Sequence, residues 1–126
     1  MINKKTILII EDEKPMSQLL KDTLVDEGFN VVLAYNGVTG LSKAKKIKPD
    51  LILLDIIMPK MDGITLLKKI RKDKWGSKAK IIILSNLSND TVIEEALDNG
   101  VYSFLIKSNW KLKDLLVKIK KNLKRK

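Results

Sequence analysis

A chain of 126 residues, 44% hydrophobic and 32% charged, is long enough to bury a core, and residues 1–126 are expected to form one domain. Its apolar runs are strand-sized, which excludes a bilayer-spanning helix, and the absence of cysteine and histidine excludes disulfides, thiolates and any imidazole base, metal ligand or phosphohistidine. The net charge of +10 peaks in residues 111–126, where eight bases face one acid, Asp114; a solvated lysine-rich helix accounts for this without a specific nucleic-acid partner.

Along the chain, Lys4 and Lys5 precede "TILII" (6–10) in superficial likeness to a signal peptide. Five apolar residues are too few for one, and "EDEK" follows at once. "TILII" reads instead as a first strand. A helical segment comes next, with Met16, Leu19, Leu20, Thr23 and Leu24 on its inner face. "NVVLAY" (30–35) is a second strand. A weaker helical pattern over 37–47 turns Leu41, Ala44 and Ile47 inward. "LILL" (51–54) is a third strand, followed by a helix carrying Ile64, Leu67 and Ile70. "KIIIL" (80–84) precedes a helix with Val92, Ile93, Ala96 and Leu97. "YSFLI" (102–106) precedes a last helix with Leu112, Leu115, Leu116, Ile119 and Leu123.

Most of these strands are apolar throughout instead of alternating, which suits parallel strands covered on both faces. Strands alternating with helices at this length imply right-handed βα units. The expected fold is therefore a five-unit, doubly wound α/β domain on a parallel sheet.

Such sheets bind ligands beyond the carboxyl ends of their strands. The first strand ends in Glu11, Asp12 and Glu13, the third in Asp55, the fourth in Ser85, and Lys107 follows the fifth. Structural roles exist for several of them. Asp12 or Glu13 can cap the first helix, with Pro15 in its opening turn, and Asp62 reads as the N-cap of the third. Asp55 resists such a role, because "IIMP" follows and Pro59 disfavours helical geometry at Met58. A strand-end carboxylate beside others is destabilised by mutual repulsion unless a cation relieves it. Hard oxygen donors with no imidazole or thiolate suit Mg2+, so Asp55 is read as a metal-bound nucleophile or ligand.

With these residues in order, the sequence resembles the receiver domain of two-component response regulators. The likeness runs from "ILIIEDE" through "LILLDIIMPKMDG" and "IIILS" to "GVYSFLIK". It implies a flavodoxin-like (βα)5 fold with strand order 2-1-3-4-5, and a phosphorylation-controlled signalling switch rather than a conventional enzyme. By that resemblance Asp55 accepts a phosphoryl group from the phosphohistidine of a sensor kinase or phosphotransfer protein, with Mg2+ as cofactor. Asp12 and Asp55 bind the metal directly, Glu11 acts through water, and Ile57 lends a backbone carbonyl. Lys107 and Ser85 contact the phosphoryl group, and Phe104 matches the aromatic switch position. The implied setting is the cytoplasm, without membrane attachment. The implied output surface is the fourth helix, fifth strand and fifth helix, for an effector or a phosphorylation-dependent homodimer.

Three positions depart from the family's habit. Glu11 replaces a more usual aspartate, Asn86 a smaller residue, and Ser108 a proline that takes a cis bond. Without proline a cis bond costs about 3 kcal/mol, so a trans bond or a rearranged loop is expected at Lys107–Ser108. The alternative reading is a degenerate receiver that binds partners without phosphorylation. A flavin or nucleotide binder is disfavoured, because "EDEKP" stands where a Gly-rich phosphate loop would be needed. No effector domain or helix-turn-helix accompanies the pattern, and "NLKRK" fits either a chain end or a linker.

Overall fold

The computed structural model describes residues 4–58, 60–86, 90–107 and 111–123. Five strands alternate with five helices: β1 (Thr6–Ile10), α1 (Lys14–Asp26), β2 (Asn30–Ala34), α2 (Gly37–Ile47), β3 (Leu51–Leu54), α3 (Gly63–Lys72), β4 (Ile81–Ser85), α4 (Asp90–Asp98), β5 (Ser103–Ile106) and α5 (Leu112–Leu123). All pair in parallel, in the order β2-β1-β3-β4-β5, as the resemblance implied. Pro59, the centre of the "SNLSND" loop and the Lys107–Ser108 bond lie outside the described residues. Among the described residues no helix is long and apolar enough to cross a membrane.

The strands are apolar on both faces because each face has its own core. Ile7, Ile9, Leu51, Leu53, Ile82 and Leu84 point one way, onto Leu20 and Leu24 of α1 and Leu115, Ile119 and Leu123 of α5. Their neighbours Leu8, Ile10, Ile52, Leu54, Ile81 and Ile83 point the other way. They meet Ala44 of α2, Leu66, Leu67 and Ile70 of α3, and Ala96 of α4. The period-two alternation of a strand thus feeds two helical layers at once.

Three apolar residues expected on inner helix faces are exposed: Leu19, Ile47 and Leu97. In α1 the buried line is Ser17, Leu20 and Leu24, and Leu19 sits one residue off it. Ser17 takes an inner place because its hydroxyl donates to the carbonyl of Glu11 at 3.1 Å. Ile47 is the last residue of α2, where the helix runs out from the sheet into a left-handed Lys48. Leu97 follows Ala96, the one fully buried residue of α4. Helical period alone placed these three within the stripe; contact with a flat sheet needs a narrower one.

Arg71, at the end of α3, ties the opposite edge of the sheet together. Its guanidinium donates to the carbonyls of Gly76, Ala79, Asn99 and Gly100. Burial lowers its pKa, but a guanidinium stays charged, and four carbonyls suit its fixed fork of donors.

Candidate functional site

The sheet ladder continues one residue beyond β1 and β3. The amide of Glu11 donates to the carbonyl of Ala34, and that of Asp55 to the carbonyl of Ile10, each at 3.0 Å. Since Ile10 pairs with Leu54, Glu11 and Asp55 leave the sheet side by side. They do so between β1 and β3, where the chain's winding changes direction and helices leave on opposite faces. That is the crevice where such folds bind ligands.

The third helix fixes Asp55 from behind. Asp62 caps α3, as its spacing predicted, accepting from the amide of Thr65 at 2.9 Å; these bonds outweigh its partial burial and hold its carboxyl below the usual range. Gly63 then presses against the chain after β3, and its amide donates to the carbonyl of Ile56 at 2.8 Å. A Cβ on Gly63 would lie 2.3 Å from the carbonyl oxygen of Asp55. Glycine is required there by the closeness of two backbones, one of which carries the aspartate.

Glu11, Asp12 and Asp55 converge, each offering a carboxylate oxygen within 4.8 Å of the others'. Glu11 and Asp55 are buried, and Asp12 is partly open to solvent. The ammonium of Lys107 closes the cluster, at 2.6 Å from Glu11 Oε1, 2.8 Å from Glu13 Oε1 and 3.4 Å from Asp55 Oδ2. Above them opens a cavity of about 200 Å³ lined by Asp12, Glu13, Asp55, Ile57, Asn86 and Lys107.

Four carboxylates around one ammonium leave an excess of negative charge, and two groups register it. Burial pushes the Glu11 carboxyl up to about 7; Lys107 lowers it again, but not by enough, and the charge of Asp55 adds to the rise. Burial alone would lower Lys107, yet its bonds to Glu11 and Glu13 and the charge of Asp55 hold it above the ordinary lysine range. Burial drives the first shift, and the surrounding carboxylates drive the second. A bound cation would relieve the excess of negative charge. The donors are oxygen only, as Mg2+ prefers, so the residues present fit such an ion.

Of the residues singled out in the sequence, Glu11, Asp12, Asp55 and Lys107 come together, and Ile57 lines the same cavity. Ser85 is fully buried at the end of β4, and its neighbour Asn86 reaches the cavity instead. Phe104 is half-buried in β5, packed against the core that holds Ile81 and Ile83. Glu13 has a part the sequence did not reveal. It stands at the N-cap of α1 without making a side-chain cap, and its carboxylate goes to Lys107. The run of three acids in "EDE" was the only signal, and it did not name their partner.

With this geometry in view, comparisons with known proteins agree in one direction. The response regulator receiver domain family model matches residues 7–120. The chemotaxis protein CheY of Bacillus subtilis is 40% identical over 102 residues, covering 80% of this chain and 83% of that protein. A two-component response regulator from Clostridium difficile superposes with a TM-score of 0.88 at 37% identity, covering 97% of this chain and 98% of that one. The CheY of a CheX–CheY–BeF3–Mg2+ complex from Borrelia burgdorferi gives a TM-score of 0.87 at 28% identity, over 96% of this chain and 90% of that one.

Proposed function

Since this chain belongs to the response regulator receiver family of two-component signal transduction, and is therefore not a conventional enzyme, we propose that it is a switch phosphorylated on Asp55. The observation that carries this reading is the convergence of Glu11, Asp12 and Asp55 within 4.8 Å beside the ammonium of Lys107. In the proposed step an Asp55 carboxylate oxygen attacks phosphorus in line. The P–N bond to the donor's histidine breaks, and its electron pair leaves on the imidazole nitrogen. Asp12 and Asp55, with Glu11 through water and the Ile57 carbonyl as a further donor, would hold Mg2+, which would supply charge neutralisation to the phosphoryl oxygens.

The remaining work belongs to the chain's own groups. Asp55 is held at the floor of the cavity by its ladder bond and by Gly63, so the nucleophile is oriented before a donor arrives. Lys107 offers a fixed positive charge to the incoming phosphoryl oxygens. Ser85 donates its hydroxyl to one of them, and Phe104 turns inward in response. This gives the added charge a structural readout. Leu97, Tyr102 and Val117 are large apolar side chains exposed on α4, ahead of β5 and on α5, which supports that side as the effector or dimer face.

The implied donor is a sensor histidine kinase or phosphotransfer protein in the cytoplasm, and residues 1–126 act as one receiver domain. Incubation with Mg2+ and a small acyl phosphate, followed by intact mass, tests the reading. One metal-dependent phosphoryl adduct, absent from Asp55→Asn, is expected. Full labelling with the metal chelated would overturn the metal-assisted step, and no labelling by a small donor or by any histidine kinase would favour a receiver that works unphosphorylated.

A further inference from the structure

Lys107 is not centred on the proposed acceptor. Its ammonium lies closer to Glu11 and Glu13, at 2.6 and 2.8 Å, than to Asp55 at 3.4 Å. The two nearer partners are held very differently. Glu11 is buried, and its second oxygen accepts the backbone amide of Glu13 at 3.1 Å, so both its oxygens are occupied within the fold. The Glu13 side chain is 58% exposed on the rim of the cavity, while the Lys107 side chain is 6% exposed.

A residue at a helix N-cap ordinarily turns a side-chain oxygen back onto the amides of the first turn. Glu13 makes no such bond, and Pro15 in that turn has no amide to give. Its carboxylate spans instead to Lys107, 94 residues further along the chain. An ammonium has three protons. Glu11, Glu13 and Asp55 offer an acceptor for each. A phosphoryl group on Asp55 brings further charged oxygens to the same ammonium, and these compete with its present partners for three protons. Glu11 is tied at both oxygens, and Asp55 is the site of attachment. Glu13 alone can turn into solvent, where its charge is well hydrated.

We propose that Glu13 is a positioning residue, a latch that draws Lys107 toward the cavity rim until a phosphoryl group on Asp55 takes the ammonium from it. The inference rests on the reading of Asp55 as the phosphoryl acceptor. It makes Glu13 a brake on phosphoryl binding that acts through Lys107, beyond the repulsion any acid there would exert. An exposed ion pair has a modest worth, so the brake should amount to roughly threefold to fivefold in affinity.

The test is the apparent affinity for beryllofluoride with saturating Mg2+, followed by NMR, in the wild type, Glu13→Gln and Glu13→Asp. Each is repeated with Lys107→Met. Aspartate keeps the charge but shortens the arm that reaches Lys107. Glu13→Gln and Glu13→Asp should both tighten binding by about threefold to fivefold, and neither should do so when Lys107 is methionine. A Glu13→Asp protein that matches the wild type, or a gain that persists without Lys107, would reduce Glu13 to bulk charge and overturn the latch. If Lys107→Met binds too weakly to compare, the Lys107 side-chain resonance decides. In free Glu13→Gln it should move toward its position in the beryllofluoride-bound wild type, and an unmoved resonance overturns the latch. Failure of the wild type to bind beryllofluoride would overturn the Asp55 reading together with the latch, whereas wild-type binding that Glu13→Gln leaves unchanged would overturn the latch alone.

Discussion

Between pH 5 and 7 this protein, stripped of divalent metal, should lose stability as pH rises, and Glu11 should be the cause. Burial and the charge of Asp55 raise the Glu11 carboxyl from 4.5 to about 7. The folded state therefore binds a proton there more tightly than the unfolded chain does. Below about 4.5 the group is protonated in both states, and its contribution to stability is at its maximum. Through the interval the unfolded chain releases the proton while the fold retains it, so the contribution falls, and above about 7 it is gone. At about 1.4 kcal/mol per pH unit, the interval corresponds to roughly 3 kcal/mol. The chain has no histidine, so no other side chain with an ordinary pKa titrates in this window. Urea unfolding with a chelator at constant ionic strength, read by tryptophan fluorescence at half-unit steps of pH, measures the slope. Glu11→Gln should flatten it. Mg2+ in tenfold excess over its dissociation constant should restore about 1.4 kcal/mol to the wild type near pH 7.5, because it binds the folded state alone. A stability that rises from pH 5 to 7, or an equal slope in Glu11→Gln, would refute the assignment of this strain to Glu11.

Four further outcomes follow from the geometry. Asp12→Ala should raise the Mg2+ needed for half-maximal labelling by about tenfold or more, measured by adduct yield against metal concentration. Gly63→Ala should cost about 3 kcal/mol in chemical denaturation, because a Cβ 2.3 Å from the Asp55 carbonyl oxygen has no flexible neighbour to push aside. Arg71→Lys should cost roughly 2–3 kcal/mol by the same measurement, since an ammonium cannot serve four carbonyls arranged for a fork, while labelling of Asp55 continues below the transition. Ser85→Ala should still take phosphate on Asp55 but lose the backbone NMR shifts that phosphorylation otherwise produces in residues 90–107.

The architecture was legible in the sequence because strands buried on both faces, such as "LILL" and "IIIL", read as unbroken apolar runs, and the helices between them carry their own period. Asp55 was legible for a related reason: a charge inside such a run demands a purpose. Strand order was not available from periodicity, since five βα units can be wound in several ways. It came with the resemblance. The exposure of Leu19 and Leu97 was hidden as well, because an apolar residue one position off the contact line looks the same in sequence as one on it. Least legible was the link from Glu13 to Lys107. A capping acid was a reasonable reading of Glu13 alone, and only the parallel sheet, which returns both loops to one edge, makes it a partner of Lys107.

Where the phosphoryl group attaches is the direct test of the account. Wild-type protein labelled with a small acyl phosphate and Mg2+ would be reduced with borohydride, which converts an acyl-phosphorylated aspartate to homoserine, and then mapped by peptide mass spectrometry. The account predicts homoserine at position 55 and at no other residue, with none formed when the metal is chelated. Homoserine at position 12, or phosphate recovered only on a serine, threonine or lysine, would contradict it.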